Sequence, residues 1–273
     1  MTQEREGRPD DCHSLWIGPR LPPLAQACLM SFLRHGHRVA LHCYEPVVDV
    51  PAGVEIRDAA RILPKSAIIR HYQTNSPSLF SNYWRYKMME SLKGYWIDCD
   101  VYCLRPFDYE SDPVFGWQQN DVINGAVLRL IPGSPFHRDA IKVFEDKRPE
   151  MPWFSKDQMR RAKLRSFFYR RHLLSVLPWG STGPRAITYL ARKHDEAKKA
   201  LPVAAFYPLH YEDSGKLLRA DFNLSDLVTE ETRAVHLWNE TLLRKDNPPE
   251  PGSFLDRIVK ELEGGPPAMT LAA

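Results

Sequence analysis

The stretch Tyr95-Trp-Ile-Asp-Cys-Asp-Val-Tyr-Cys-Leu104 decides how the chain is read. Its β-branched and aromatic residues predict a strand that runs into a turn at two carboxylates, Asp98 and Asp100. Carboxylates crowded at a strand end repel one another, and a bound divalent cation is the simplest compensation. Oxygen ligands suit Mg²⁺ or Mn²⁺ better than Zn²⁺. In open α/β sheets that end of a strand is also where ligands bind. A D-x-D spacing alone has no weight, because a solvated turn produces it equally well. Its surroundings have to decide.

Upstream, residues 14–18 read as a strand ending at Gly18, and residues 22–33 as a helix with proline at its first turn. Residues 39–44 and 55–57 predict two more strands. Residues 79–92 predict a helix stopped by Lys93-Gly94. Downstream, 114–117 and 122–130 read as strands, the second interrupted by Asn124-Gly125. Residues 135–147 and 184–194 look helical, 234–238 is a last short strand, and 253–263 an amphipathic helix with Ser253 as cap. This alternation predicts an α/β layer architecture with a largely parallel sheet. A single domain over 1–263 and a flexible tail over 264–273 are expected.

The 273 residues are 43% hydrophobic and 26% charged, which excludes wholesale disorder. No apolar run approaches a membrane span and no secretory signal is visible, so a cytoplasmic protein is expected. The five cysteines form no CxxC pair, which predicts reduced thiols and no structural zinc. The net charge of +3 is unevenly placed. Residues 156–172 hold seven Lys/Arg against Asp157, a local +6, and the remainder sums to −3. This segment, in a basic helical insertion at about 150–176, interleaves its cations with Trp153, Phe154, Leu164, Phe167 and Phe168. Peripheral contact with an anionic membrane and a solvated helix over the cleft are the two readings. So short a basic run is a weak nucleic-acid footprint, and no nucleic-acid partner is expected.

Four further pieces carry chemistry. In Ser81-Asn82-Tyr83-Trp84-Arg85, Asn82 and Arg85 share a helix face, and the Arg could bridge a hydroxyl-rich or phosphate-bearing ligand. His236 and Trp238 share a strand face, where an imidazole can ligate a cation and an indole N–H can donate to phosphate. Gly125 inside an apolar strand marks either close approach of a ligand or backbone, or a hairpin-like kink. The loop 179–184 reads as an anion site or, more simply, a helix capped by Ser181 or Thr182. No phosphate-binding loop, dinucleotide fingerprint, zinc-protease or serine-hydrolase motif is present.

In this order, the pieces resemble the glycosyltransferase family with the DXD sugar-binding region (family 32-like). The resemblance spans about residues 15–238 and rests on Leu15-Trp-Ile-Gly18, Ser31-Phe-Leu-Arg-His-Gly-His37, Ser81 to Arg85 and Gly94 to Pro106. It continues through Asn124-Gly125, Thr182-Gly-Pro184 and His236-x-Trp238. It implies a GT-A fold, a Rossmann-like nucleotide-diphospho-sugar transferase with a mixed, mainly parallel central sheet. It further implies a metal-dependent, retaining hexosyltransferase-like enzyme of polysaccharide biosynthesis. The donor is a nucleotide-sugar, with a UDP-sugar expected, and the acceptor is a saccharide or is lipid-linked. Mn²⁺ or Mg²⁺ would be held by Asp98, Asp100 and His236. Trp16 would stack on the base, Ser81, Asn82, Arg85 and Asp98 would hold the donor, and Trp238 would donate to the β-phosphate. Asp100, Arg85 and Asn124 would form the catalytic group. The family's Ser-Asp-x-x-Arg has Asn82 in place of Asp here, and its Gly-Gly is Lys93-Gly94. The uncharged Asn82 admits a rival: a catalytically silent nucleotide-sugar or carbohydrate binder on the same fold. A location at the inner face of the membrane would suit a lipid-linked acceptor.

Overall fold

The computed structural model describes residues 6–264, apart from Pro9, Ser111, Arg148, Glu150 and residues 243–247. The expected tail therefore lies, beyond Gly264, outside the described residues. In chain order the strands are β1 (Cys12–Trp16), β2 (Val39–Cys43), β3 (Glu55–Asp58), β4 (Tyr95–Ile97), β5 (Val101–Cys103), β6 (Val114–Gln119), β7 (Val122–Arg129) and β8 (Ala234–His236). The α-helices are α1 (Pro23–Arg34), α2 (Ser78–Ser91), α3 (Pro135–Glu145), α4 (Lys156–Tyr169), α5 (Pro184–Lys193), α6 (Val203–Phe206), α7 (Asn239–Leu242) and α8 (Phe254–Leu262).

Six strands form one sheet in the order β3-β2-β1-β4-β7-β6. β3, β2, β1 and β4 are mutually parallel, and β7 runs antiparallel between β4 and β6. The alternation predicted the α/β layers and the largely parallel sheet, and the resemblance implied its mixed, mainly parallel character. Strand periodicity divides its side chains between two cores. In β4, Tyr95 and Ile97 join the core under α1 and α8, while Trp96 joins the core under α2, α3 and α5. Each helix presents its apolar face accordingly: Leu29 and Phe32 from α1, Trp84 and Met88 from α2, Ile187 and Leu190 from α5. Among the described residues no helix is long and apolar enough to cross a membrane. All five cysteines are free.

The expected strand and its turn at the carboxylates are present, and after the turn β5 pairs with β8 in a separate two-stranded ribbon. Two local expectations change. Helix α2 ends at Leu92, in extended conformation, so Gly94 does not cap it. Gly94 instead has φ +108°, and a Cβ there would lie 2.2 Å from the Asp11 carbonyl oxygen. That carbonyl accepts the Tyr95 N–H at 2.7 Å and sets β4 against β1. Finally, α5 is capped by neither Ser181 nor Thr182. Gly183 is its N-cap residue with no side-chain bond, and Ser181 bonds back to Pro178.

Beneath the sheet two histidines are buried as a pair. His13 Nε2 lies 2.9 Å from the Lys93 carbonyl and must donate to it. Its Nδ1 then accepts from His42 Nε2 at 3.2 Å. Burial pushes His13 down to about 4 despite the Lys93 bond, and burial with the His13 neighbour pushes His42 lower still.

Gly94→Ala is expected to cost about 3 kcal/mol or more, because both φ and the Asp11 contact oppose a side chain. Urea unfolding measures it, and a loss within the range of an ordinary surface change would contradict this account. The histidine pair makes a second prediction. An unfolded histidine takes up its proton near pH 6.5, while His13 stays neutral in the fold to about 4. Stability is therefore full above pH 6.5 and falls with acidification. Between neutral pH and pH 5 the loss is about 2 kcal/mol per buried histidine. A flat urea midpoint over that range would show that the pair is not held neutral.

Candidate functional site

A cleft of about 670 Å³ opens at the carboxyl ends of β1 and β4. Its walls come from the end of β1 (Trp16) with Ile17, the start of α1, the first turns of α2, the β6–β7 hairpin, the loop before α5, Tyr211, and the segment after β8. These parts are far apart in sequence and meet because the parallel strands end on one edge.

The floor is Asp98-Cys99-Asp100. The Asp98 N–H donates to the Ala126 carbonyl at 2.8 Å, the last link to the main sheet, and Val101 N–H closes a turn onto Asp98 at 3.1 Å. From there β5 pairs with β8 so that Val101 faces His236, and the Leu237 N–H donates to the Asp100 carbonyl. That register brings His236 Nε2 to 3.2 Å from Asp100 Oδ1. Ligand atoms of Asp98, Asp100 and His236 all lie within 4.8 Å of one another. The three expected metal ligands therefore do converge.

Their surroundings differ. Asp98 Oδ1 accepts from Trp96 Nε1 at 2.7 Å and from the Arg85 guanidinium at 3.0 Å. Asp100 Oδ2 accepts the Asn239 N–H at 2.9 Å. Burial pushes the Asp100 carboxyl up, but the His236 imidazole and the N–H donors outweigh it and hold it below its ordinary range. His236 is 7% exposed, and its Nδ1 has no partner among the described residues. Two carboxylates facing a half-satisfied imidazole form a donor set that fits Mn²⁺ or Mg²⁺. Burial and the adjacent carboxylates push the Cys99 thiol up to about 12, and its Sγ lies 3.1 Å from Ser14 Oγ.

Arg85 lines the cleft yet is 4% exposed, and its donors are largely occupied within the protein. It bonds to Ser81, to the Gly125 carbonyl and to Asp98, and lies 4.5 Å over the Trp96 ring. This explains Gly125. A Cβ there would come 3.0 Å from the guanidinium and 2.6 Å from Ile187. Neither a ligand nor a backbone approaches Gly125; protein side chains do, and the β6–β7 register shifts between Asn124 and Arg129. Asn124 is held likewise: its Nδ2 donates to Gln118 at 2.7 Å and its Oδ1 accepts from the Ala126 N–H. Asn82 donates to Thr182 at 3.2 Å, pinning the loop before α5. Trp16 is half-buried at the rim.

Trp238 is placed differently from its expected role. Its indole N–H donates to the Leu209 carbonyl at 2.8 Å, so it is committed within the protein. The residue has φ +59°, unusual for a bulky side chain, and this turn aims the Asn239 N–H at Asp100. Sequence reasoning passed over Gln118, Tyr211 and Asn239, all of which line the cleft. Asn239 follows the His-x-Trp run directly and was within reach. Gln118 and Tyr211 carried no local signal.

No family model matches the chain, and no curated protein matches it. Among solved structures the chain is similar to one described as "PaToxG Glycosyltransferase", with a TM-score of 0.42 and 11% identity over 97% of this chain and 81% of that chain. At that distance the cleft itself has to carry any functional reading.

Proposed function

We propose that the cleft binds a nucleotide-sugar and transfers its sugar to a saccharide or lipid-linked acceptor. One observation carries this: Asp98, Asp100 and His236 converge at the carboxyl edge of a mainly parallel sheet, on the floor of a cleft of about 670 Å³. A divalent cation held by these three would neutralise the charge that gathers on a departing diphosphate.

The chain's own groups have separable tasks in this reading. Trp16 offers a ring at the rim for a base. Asp98, locked by Arg85 and Trp96, presents its second oxygen in a fixed direction. Arg85 is a positioning residue, because its contacts are with Asp98, Ser81 and Gly125. Asn124 and Gln118 form a rigid polar wall that orients hydroxyls. Among the described residues the carboxylates of the cleft are Asp98, Asp100 and Glu240; retention is assigned to attack on the leaving-group face. The anomeric C–O bond to the diphosphate breaks, the acceptor oxygen bonds to that carbon, and its proton passes to the departing phosphate. The silent binder is the second reading, favoured by the engagement of Asn82 with Thr182 and of Trp238 with Leu209.

Release of nucleoside diphosphate from a panel of nucleotide-sugars with Mn²⁺ and mixed acceptors is the test. Turnover is expected to vanish with chelator. Asp100→Asn should lower it about 100-fold or more with the melting temperature kept. Chelator-insensitive turnover by that variant would remove the cation and Asp100 from the mechanism, no turnover of any donor would overturn the transferase reading, and donor binding without any turnover would establish the silent one. Independently, Mn²⁺ titration followed by paramagnetic resonance should show His236→Gln weakening binding about 10- to 100-fold. Equal affinity in wild type and variant would remove His236 from the ligand set.

A further inference from the structure

The segment that holds the chain's surplus positive charge is an exposed helix, and its apolar residues face the wrong way for a core. Helix α4 starts with a full capping box, in which Ser155 and Gln158 each bond the other's backbone N–H. Only Ala162 is buried along it, with Met159 and Ser166 half-buried on the same side. At about 100° per residue, Leu164, Phe167 and Phe168 stand at i, i+3 and i+4 on the opposite, outward face. They are 48%, 77% and 73% exposed. Arg160, Arg161, Lys163 and Arg165 flank them, all exposed and none in an ion pair with a described residue. Asp157 is the sole acidic residue among 156–172.

We propose that this face seats the protein on an anionic lipid bilayer, with Leu164, Phe167 and Phe168 entering the headgroup region and the surrounding cations meeting lipid phosphates. Charge complementarity selects an anionic partner, and the three large apolar side chains select a bilayer over a soluble polyanion, which would leave them in water. Together they supply the two signals that stable peripheral binding requires.

The patch is joined to the cleft mouth. Tyr169 at the end of α4 stacks on Tyr72 at 5.0 Å, and the Arg171 guanidinium lies 5.8 Å over the same ring. The neighbouring His71 packs edge-on against Trp179 at 5.6 Å, and Trp179 lines the cleft. A protein seated through α4 would hold that side of the cleft close to the bilayer surface. The seating stands apart from sugar transfer. That the acceptor is itself a membrane molecule rests on the transfer reading.

Flotation with vesicles of phosphatidylcholine containing about one third phosphatidylglycerol, at about 50 mM salt, tests the seating. Binding is expected to these vesicles and not to phosphatidylcholine alone. The pair Phe167→Ser with Phe168→Ser, and separately Arg160→Gln with Arg161→Gln, should each weaken it about tenfold with the circular dichroism unchanged. No flotation at low salt, or equal flotation with uncharged vesicles, would overturn the proposal. Binding that survives the phenylalanine pair and is competed by heparin would also overturn it, in favour of a soluble polyanion. Vesicle binding by a protein that turns over no nucleotide-sugar would leave the seating intact and remove the transfer reading.

Discussion

The pairing of Val101 with His236 is the contact on which the cleft depends. The main sheet ends at Ile97, and the next residues carry two negative charges without a strand to hold them. Antiparallel pairing with β8 captures the chain three residues later and brings an imidazole against Asp100 across 136 residues of sequence. The left-handed turn at Trp238 then supplies the Asn239 N–H to the same carboxylate. A strained tryptophan costs about 1–3 kcal/mol, and it persists here because its indole bond to Leu209 and the first bonds of α7 over-determine it.

Asp98 is stabilised from the other side. Arg85 is buried with its charge and would be costly alone, since an unpaired guanidinium in the core loses its hydration. Its bonds to Ser81, Gly125 and Asp98, and its seat over Trp96, replace that hydration. The same bonds couple α2, β4 and β7 at the cleft floor. One carboxylate is thus set by the core of the sheet and the other by the ribbon. The gap between them is where a cation would be shared.

Much of this was legible because period and punctuation are local. Strand alternation through Tyr95, Trp96 and Ile97 needs only neighbouring residues to be read, and so do the prolines that open α1 and α5. Ser253 was legible as a cap because its bond runs only to Asp256. Glycines misled where their reason was distant. Gly94 looked like a helix stop and instead makes room for the Asp11 carbonyl; Gly125 looked like a place for a ligand or a backbone to approach and instead admits the Arg85 and Ile187 side chains. Trp238 shows the same limit for hydrogen bonds, since its partner Leu209 lies 29 residues away.

The sequence by itself determined most of the order of strands and helices (β5, α6 and α7 apart), the α/β class, the free thiols' lack of pairing motifs and the isolated +6 segment, because composition and short-range spacing encode these directly. The tertiary structure alone decided that Asp98, Asp100 and His236 form one cluster, that Arg85 and Asn124 are locked into the protein, and that Leu164, Phe167 and Phe168 point outward. Those facts depend on strand register, on which helix face meets the sheet, and on contacts between residues scores of positions apart. Local pattern carries none of that information.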